Sequence, residues 1–125
     1  MSAQHKPEET LRGLIERDGR YQADAYRFVF EGLDYTLKHL GRKGHVSGRE
    51  LLEGIRLHAL DQFGGLAPLV FRQWGVHGTE DFGEIVFNLV GAGLMGKTDH
   101  DTKDDFRNVY DFAAVFSIES PKRPR

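Results

Sequence analysis

Apolar residues recur at helical spacing in five stretches of this chain, separated by glycine-rich or polar breaks. Leu11, Leu14 and Ile15 stand at i, i+3 and i+4 and predict a short helix over 8–17. Pro7, Glu8 and Glu9 suit its first turn, and Asp18-Gly19 ends it. Tyr26, Val29, Phe30, Leu33, Leu37 and Leu40 extend the pattern over four turns, the strongest periodic signal in the chain. Asp24 is the expected cap of that helix and Gly41-Arg42-Lys43-Gly44 its stop. Gly32 lies inside it, costs about 1 kcal/mol relative to alanine, and suits the close approach of another helix.

Ser47-Gly48-Arg49-Glu50 has the form of a capping box, opening a helix over 48–63 with Leu51, Leu52, Ile55, Ala59 and Leu60 inward. Pro68 fits the first turn of a helix over 67–74 that would bury Leu69, Val70 and Trp74. After the turn Trp74-Gly75-Val76-His77-Gly78, Thr79 is the expected cap of a helix over 79–92 that buries Phe82, Ile85, Val86, Leu89 and Val90. Gly91, Gly93 and Gly96 break it, and 97–105 reads as a polar loop. Residues 106–116 fit a strand or a helix; an extended segment followed by a last helical turn begun by Asp111 is the favoured reading. Residues 1–7 read as a frayed lead-in and 118–125 as a disordered basic tail.

The fold expected is mainly α: one compact domain over 1–117, of about five helices. Helices 48–63, 67–74 and 79–92 have helix-turn-helix order, which suggests a winged-helix-like core over 46–112 with a short β-hairpin in 94–112. A plain orthogonal bundle without a sheet is the rival. His45-Val46-Ser47-Gly48, Glu50-Leu51-Leu52-Glu53-Gly54-Ile55, Trp74-Gly75, the run Thr79-Glu80-Asp81-Phe82-Gly83-Glu84-Ile85-Val86-Phe87-Asn88-Leu89-Val90 and Gly96-Lys97-Thr98 together resemble a family of short, uncharacterised bacterial proteins. That resemblance spans roughly residues 8 to 116. It implies a bacterial single-domain protein and supplies no site.

Composition narrows the chemistry. The 125 residues contain no cysteine, so disulfides, thiolate catalysis and cysteine-ligated zinc are excluded. The formal net charge of −2 is not the balance of a nucleic-acid binder. No apolar run approaches the ~20 residues of a membrane span, and the polar start lacks an apolar signal region. A cytoplasmic protein with no membrane attachment is expected.

A helix-turn-helix layout invites a DNA reading, but the helix that would enter the groove begins Thr79-Glu80-Asp81, with Glu84 one turn on. DNA affinity rests on cations that neutralise phosphates, so this acidic start argues against it. Asp99, Asp101, Asp104 and Asp105 fail the spacing of a helix-loop-helix calcium loop, because Lys103 stands where an oxygen ligand is needed and Asp104 where a glycine is needed. The six histidines show no His-x3-His pair. Gly91-x-Gly93-x-x-Gly96 follows a helix rather than a strand and is no dinucleotide fingerprint. Neither a nucleophile elbow nor a phosphate loop occurs. No catalytic residue, cofactor or metal is therefore expected.

Two function classes remain. The first is a non-enzymatic protein-binding module that presents Trp74, His77, Thr79, Glu80 and Asp81 to an unidentified protein partner. The alternative is a nucleic-acid- or ribosome-associated regulatory factor that uses Arg42, Lys43, His45 and Arg49 together with Lys122, Arg123 and Arg125 of the tail.

Overall fold

The computed structural model describes residues 1–3 and 8–117, the side chains of 8–10 excepted. The chain is mainly helical. Strand β1 (Ser2–Ala3) is followed by α1 (Glu8–Arg17), α2 (Ala23–Leu40), α3 (Gly48–Phe63), α4 (Ala67–Trp74) and α5 (Thr79–Gly91). Strand β2 (Met95–Gly96), a 3-10 turn at Lys103–Phe106 and the one-turn α6 (Phe112–Val115) complete it.

Local chemistry sets most of these boundaries. The Ser47 side chain accepts from the Glu50 amide at 3.1 Å, and the Glu50 carboxylate accepts from the Ser47 amide at 2.8 Å. These two bonds satisfy donors that the first turn of α3 would leave open. Gly41 closes α2 in the left-handed region, at φ 63°. Two expected caps are corrected. Asp24 lies in the first turn of α2, behind an N-cap at Gln22 whose amide donates to the Trp74 carbonyl. Thr79 is the first residue of α5 behind Gly78, because its hydroxyl is committed to the Phe106 carbonyl at 2.7 Å.

The core joins Leu14, Tyr26, Val29 and Leu33 to Leu51, Leu52 and Ile55, and these to Phe71, Phe82, Ile85, Val86 and Leu89. Two inward assignments fail. Leu40 and Leu69 are exposed, while Phe28 and Phe71 are buried in their helices. In α4 the buried face is the one that carries Ala67 and Phe71; Leu69, two residues from Phe71, falls on the opposite side.

Helices α2 and α3 cross tightly. A Cβ on Gly32 would lie 2.7 Å from Ile55 Cγ1, and one on Gly54 would lie 1.7 Å from Thr36 Oγ1. The close approach expected at Gly32 is thus made by Ile55, and Gly54 makes a second from the other helix.

The hairpin expected in 94–112 does not form. Met95–Gly96 is a strand, but it pairs antiparallel with Ser2–Ala3, with Ser2 opposite Gly96 and Ala3 opposite Met95. Beyond Gly96 the chain turns instead of extending. The Asp101 carboxylate accepts from the Thr98 amide at 2.8 Å, and Thr102 with Asp105 caps the 3-10 turn. Phe106 then plugs the core against Gly48 and Gly83. The segment after it runs without a strand to α6, which Asp111 caps through the Ala114 amide.

The lead-in is not frayed where it is described. Met1 is buried, its ammonium donates to the Val46 carbonyl at 2.6 Å, and its carbonyl accepts from the Val46 amide at 3.1 Å. Residues 4–7 and the expected basic tail 118–125 lie outside the described residues.

Candidate functional site

The α2–α3 crossing leaves an open groove of about 690 Å³ on one side, lined by Glu31, Asp34, Tyr35, Lys38, His39, His58 and Gln62. Helical spacing builds it. Glu31, Tyr35 and His39 follow at i, i+4 and i+8 along one face of α2, and His58 and Gln62 stand at i and i+4 on α3. Asp34 and Lys38 pair at the rim across 3.0 Å, both well exposed, where such a pair adds little to stability.

His58 is the centre of this groove. Its ring stacks on Phe28 with centroids 5.0 Å apart and leans on Tyr35 at 5.3 Å; Tyr35 in turn stacks on His39 at 6.0 Å. Its Nε2 lies 3.3 Å from Glu31 Oε1. Its Nδ1 is buried and has no hydrogen-bond partner among the described residues. Behind the ring, Phe28 meets Trp74, Phe63 and Phe71. A file of aromatic rings therefore runs from exposed His39 into the core. On its other side His39 borders a smaller cleft of about 100 Å³, mostly apolar in surface, shared with Thr36, Leu40, Glu50, Glu53, Gly54 and Leu57.

The residues expected to form a partner surface lie at the junction of α4 and α5, but most are engaged internally. Trp74 packs against Phe28, Phe63 and Phe71. Thr79 is buried, and Glu80 accepts from the Asn108 amide at 2.8 Å. Asp81 accepts from the Tyr21 hydroxyl at 2.5 Å and from the His77 amide at 2.8 Å. The His77 side chain is exposed.

The basic cluster is likewise part-committed. Arg42 pairs with Glu50, and Arg49 Nε donates to the Asp105 carbonyl at 3.1 Å. The Ser47 amide and then the Arg42 guanidinium hold the Glu50 carboxyl below its usual range. Lys43 and His45 are exposed.

A polar network ties the α1–α2 loop to α5. Asp18 accepts from the Arg20 guanidinium at 2.7 Å and from the Asn88 amide at 2.9 Å, and Arg20 and Lys103 both reach Glu84. Every group in it has a partner, so it reads as a structural tie.

Among the described residues no group of three or more His, Asp and Glu could hold a metal ion, and no helix is long and apolar enough to cross a membrane. No protein-family model, curated protein or solved structure matches the chain.

In the sequence His39 and His58 are two of six histidines that no ligand spacing relates. Helical periodicity relates positions within one helix, and this site is made by the crossing of two. The available signal was the pair of glycines, Gly32 and Gly54, facing each other's helices.

Proposed function

We propose that this chain is a non-enzymatic binding module, and that the α2–α3 groove takes a segment of a protein partner. One observation carries the reading: aromatic and imidazole rings line an open groove whose rim bears both signs of charge. Rings offer contact area at low cost in conformational entropy, and paired rim charges orient a partner. The apolar cleft beyond His39, next to exposed Leu40, extends the surface along the helices and favours an extended or helical segment over a small ligand.

This moves the binding surface away from the Trp74–Asp81 entrance, where Thr79, Glu80 and Asp81 are engaged within the fold. The nucleic-acid reading has less support, because Arg42 and Arg49 are held by Glu50 and the Asp105 carbonyl.

The test is affinity capture from native extract with quantitative mass spectrometry. Tyr35→Ala and His39→Ala are compared with Lys43→Ala, which lies outside the groove. Partners lost with the first two and kept with the third support the reading. Partners kept by both groove variants overturn it, and loss only with Lys43→Ala points to the basic cluster.

A further inference from the structure

His58 presents two unlike nitrogens. Nε2 faces the Glu31 carboxylate at the groove surface, whereas Nδ1 is shut inside, without a partner among the described residues. A neutral ring with its proton on Nε2 donates to Glu31 and leaves only a lone pair in the interior. A protonated ring carries a second N–H, on Nδ1, and the packed position gives that donor no acceptor. A buried unsatisfied donor on a charged group is among the costlier defects in a fold.

The surrounding charges do not offset this. From α2 come Glu31, Asp34, Lys38 and His39; Asp34 is already paired with Lys38, and Lys38 and a charged His39 would both repel an imidazolium. From α3 the groove receives uncharged Gln62, and Asp61 lies on the exposed surface one turn beyond His58. No residue of α4 lines the groove. Glu31 is well exposed, so it can follow an imidazolium that swings outward. The Glu31 pair is available in both positions; the Phe28 and Tyr35 ring contacts favour the packed one, and the donor on Nδ1 opposes it.

We propose that His58 is a proton-operated latch on the α2–α3 groove: packed between Phe28 and Tyr35 when neutral, and swung out to solvent when protonated. An outward swing uncovers the Phe28 face and changes the lining that Tyr35 and His39 share with it. The latch itself is a property of the isolated chain. Only its consequence, pH-dependent partner binding, rests on the function proposed above.

The test is a titration of the full chain from pH 8 to 5, the range in which an ordinary imidazole changes charge. NMR follows the ring signals of His58, His39, Phe28 and Tyr35, and fluorescence follows Trp74, whose ring is 5.3 Å from Phe28. The expected result is that Phe28, Tyr35 and Trp74 respond with the midpoint of His58. That response should vanish in His58→Gln and persist in His39→Gln. The latch is refuted if His58 takes up its proton while the Phe28 and Tyr35 signals stay still, or if His58 keeps its neutral spectrum down to acid unfolding. It is equally refuted if the response disappears in His39→Gln, a surface variant that keeps the interior intact. No partner is present in this titration, so its failure and a failure of the capture experiment are separate results.

Discussion

The Tyr21 hydroxyl donates to the Asp81 carboxylate across 2.5 Å, joining the loop before α2 to the first turn of α5. Burial, and then this bond, raise the Tyr21 hydroxyl's pKa well above that of an ordinary tyrosine. Tyr21→Phe removes one hydrogen bond and should cost about 1 kcal/mol. Asp81→Ala also strips the His77 amide and leaves the buried Tyr21 hydroxyl alone, so it should cost about 2–3 kcal/mol. Urea midpoints of the two variants check the order. Equal losses would show that neither the His77 bond nor the stranded Tyr21 hydroxyl adds to the cost.

Gly54→Ala should be among the most damaging single-methyl changes in the chain. The new Cβ would lie 1.7 Å from Thr36 Oγ1 and 3.2 Å from the Thr36 backbone, so α2 and α3 must move apart. The expected loss is roughly 3 kcal/mol, at the upper end of overpacking costs. Gly13→Ala meets nothing within 4 Å and serves as the control, expected to be neutral or slightly stabilising. Thermal denaturation of both variants decides it, and Gly54→Ala melting like the parent would rule out the tight crossing.

At the other end of the fold, the Met1 ammonium lies 3.6 Å from the Asp101 carboxylate, both groups largely shielded from water. Burial works against the Asp101 charge, but the Thr98 amide and the Met1 ammonium outweigh it and hold the carboxyl below its usual range. Asp101→Asn should cost about 2 kcal/mol, because it leaves a buried ammonium short of its counter-charge. Placing Gly-Ser ahead of Met1 turns that ammonium into an amide and should weaken the fold in the same direction. Hydrogen exchange at Val46, whose amide donates to the Met1 carbonyl, reports the release locally.

The pH profile should fall at both ends. Asp18, held down by Arg20, Glu50 by the Ser47 amide, and Glu53 by Arg56 all have lowered folded pKa values. A carboxylate with a lowered folded value adds stability that is present above its unfolded value, ~4. That stability is lost as pH falls through the folded value. Tyr21, Tyr26 and Tyr110 shift upward, chiefly through burial, and their contribution is lost as pH rises above ~10. Melting temperatures at pH 2.5, 6 and 11 should therefore peak at the middle value. Glu50→Gln should flatten the acid limb, and an unchanged limb would show that Glu50 plays no part in it.

Signals confined to one helix were the legible ones. Ser47 and Glu50 announce α3 because their capping chemistry spans four residues, and Gly41 announces the end of α2 because only its own backbone angle is involved. Thr79 misled because its hydroxyl serves Phe106 and Val109, distant in sequence, rather than its own helix. Leu69 misled because apolar character does not choose which face of a short helix meets the core. The groove was hidden for a related reason. Glu31, Tyr35 and His39 do share a helical face, but nothing in their spacing says that His58 arrives beside them. The β1–β2 pairing had no local signature, since each strand is two residues long.

That pairing has a consequence for the order of synthesis. Ser2–Ala3 is made before its partner, Met95–Gly96, exists, and at ribosomal speeds the delay is on the order of 5–20 s. Helices α2 and α3, separated only by the loop over 41–47, can close much sooner. The α2–α3 crossing can thus form from residues already made, whereas the β1–β2 pair must wait until Met95–Gly96 has been added.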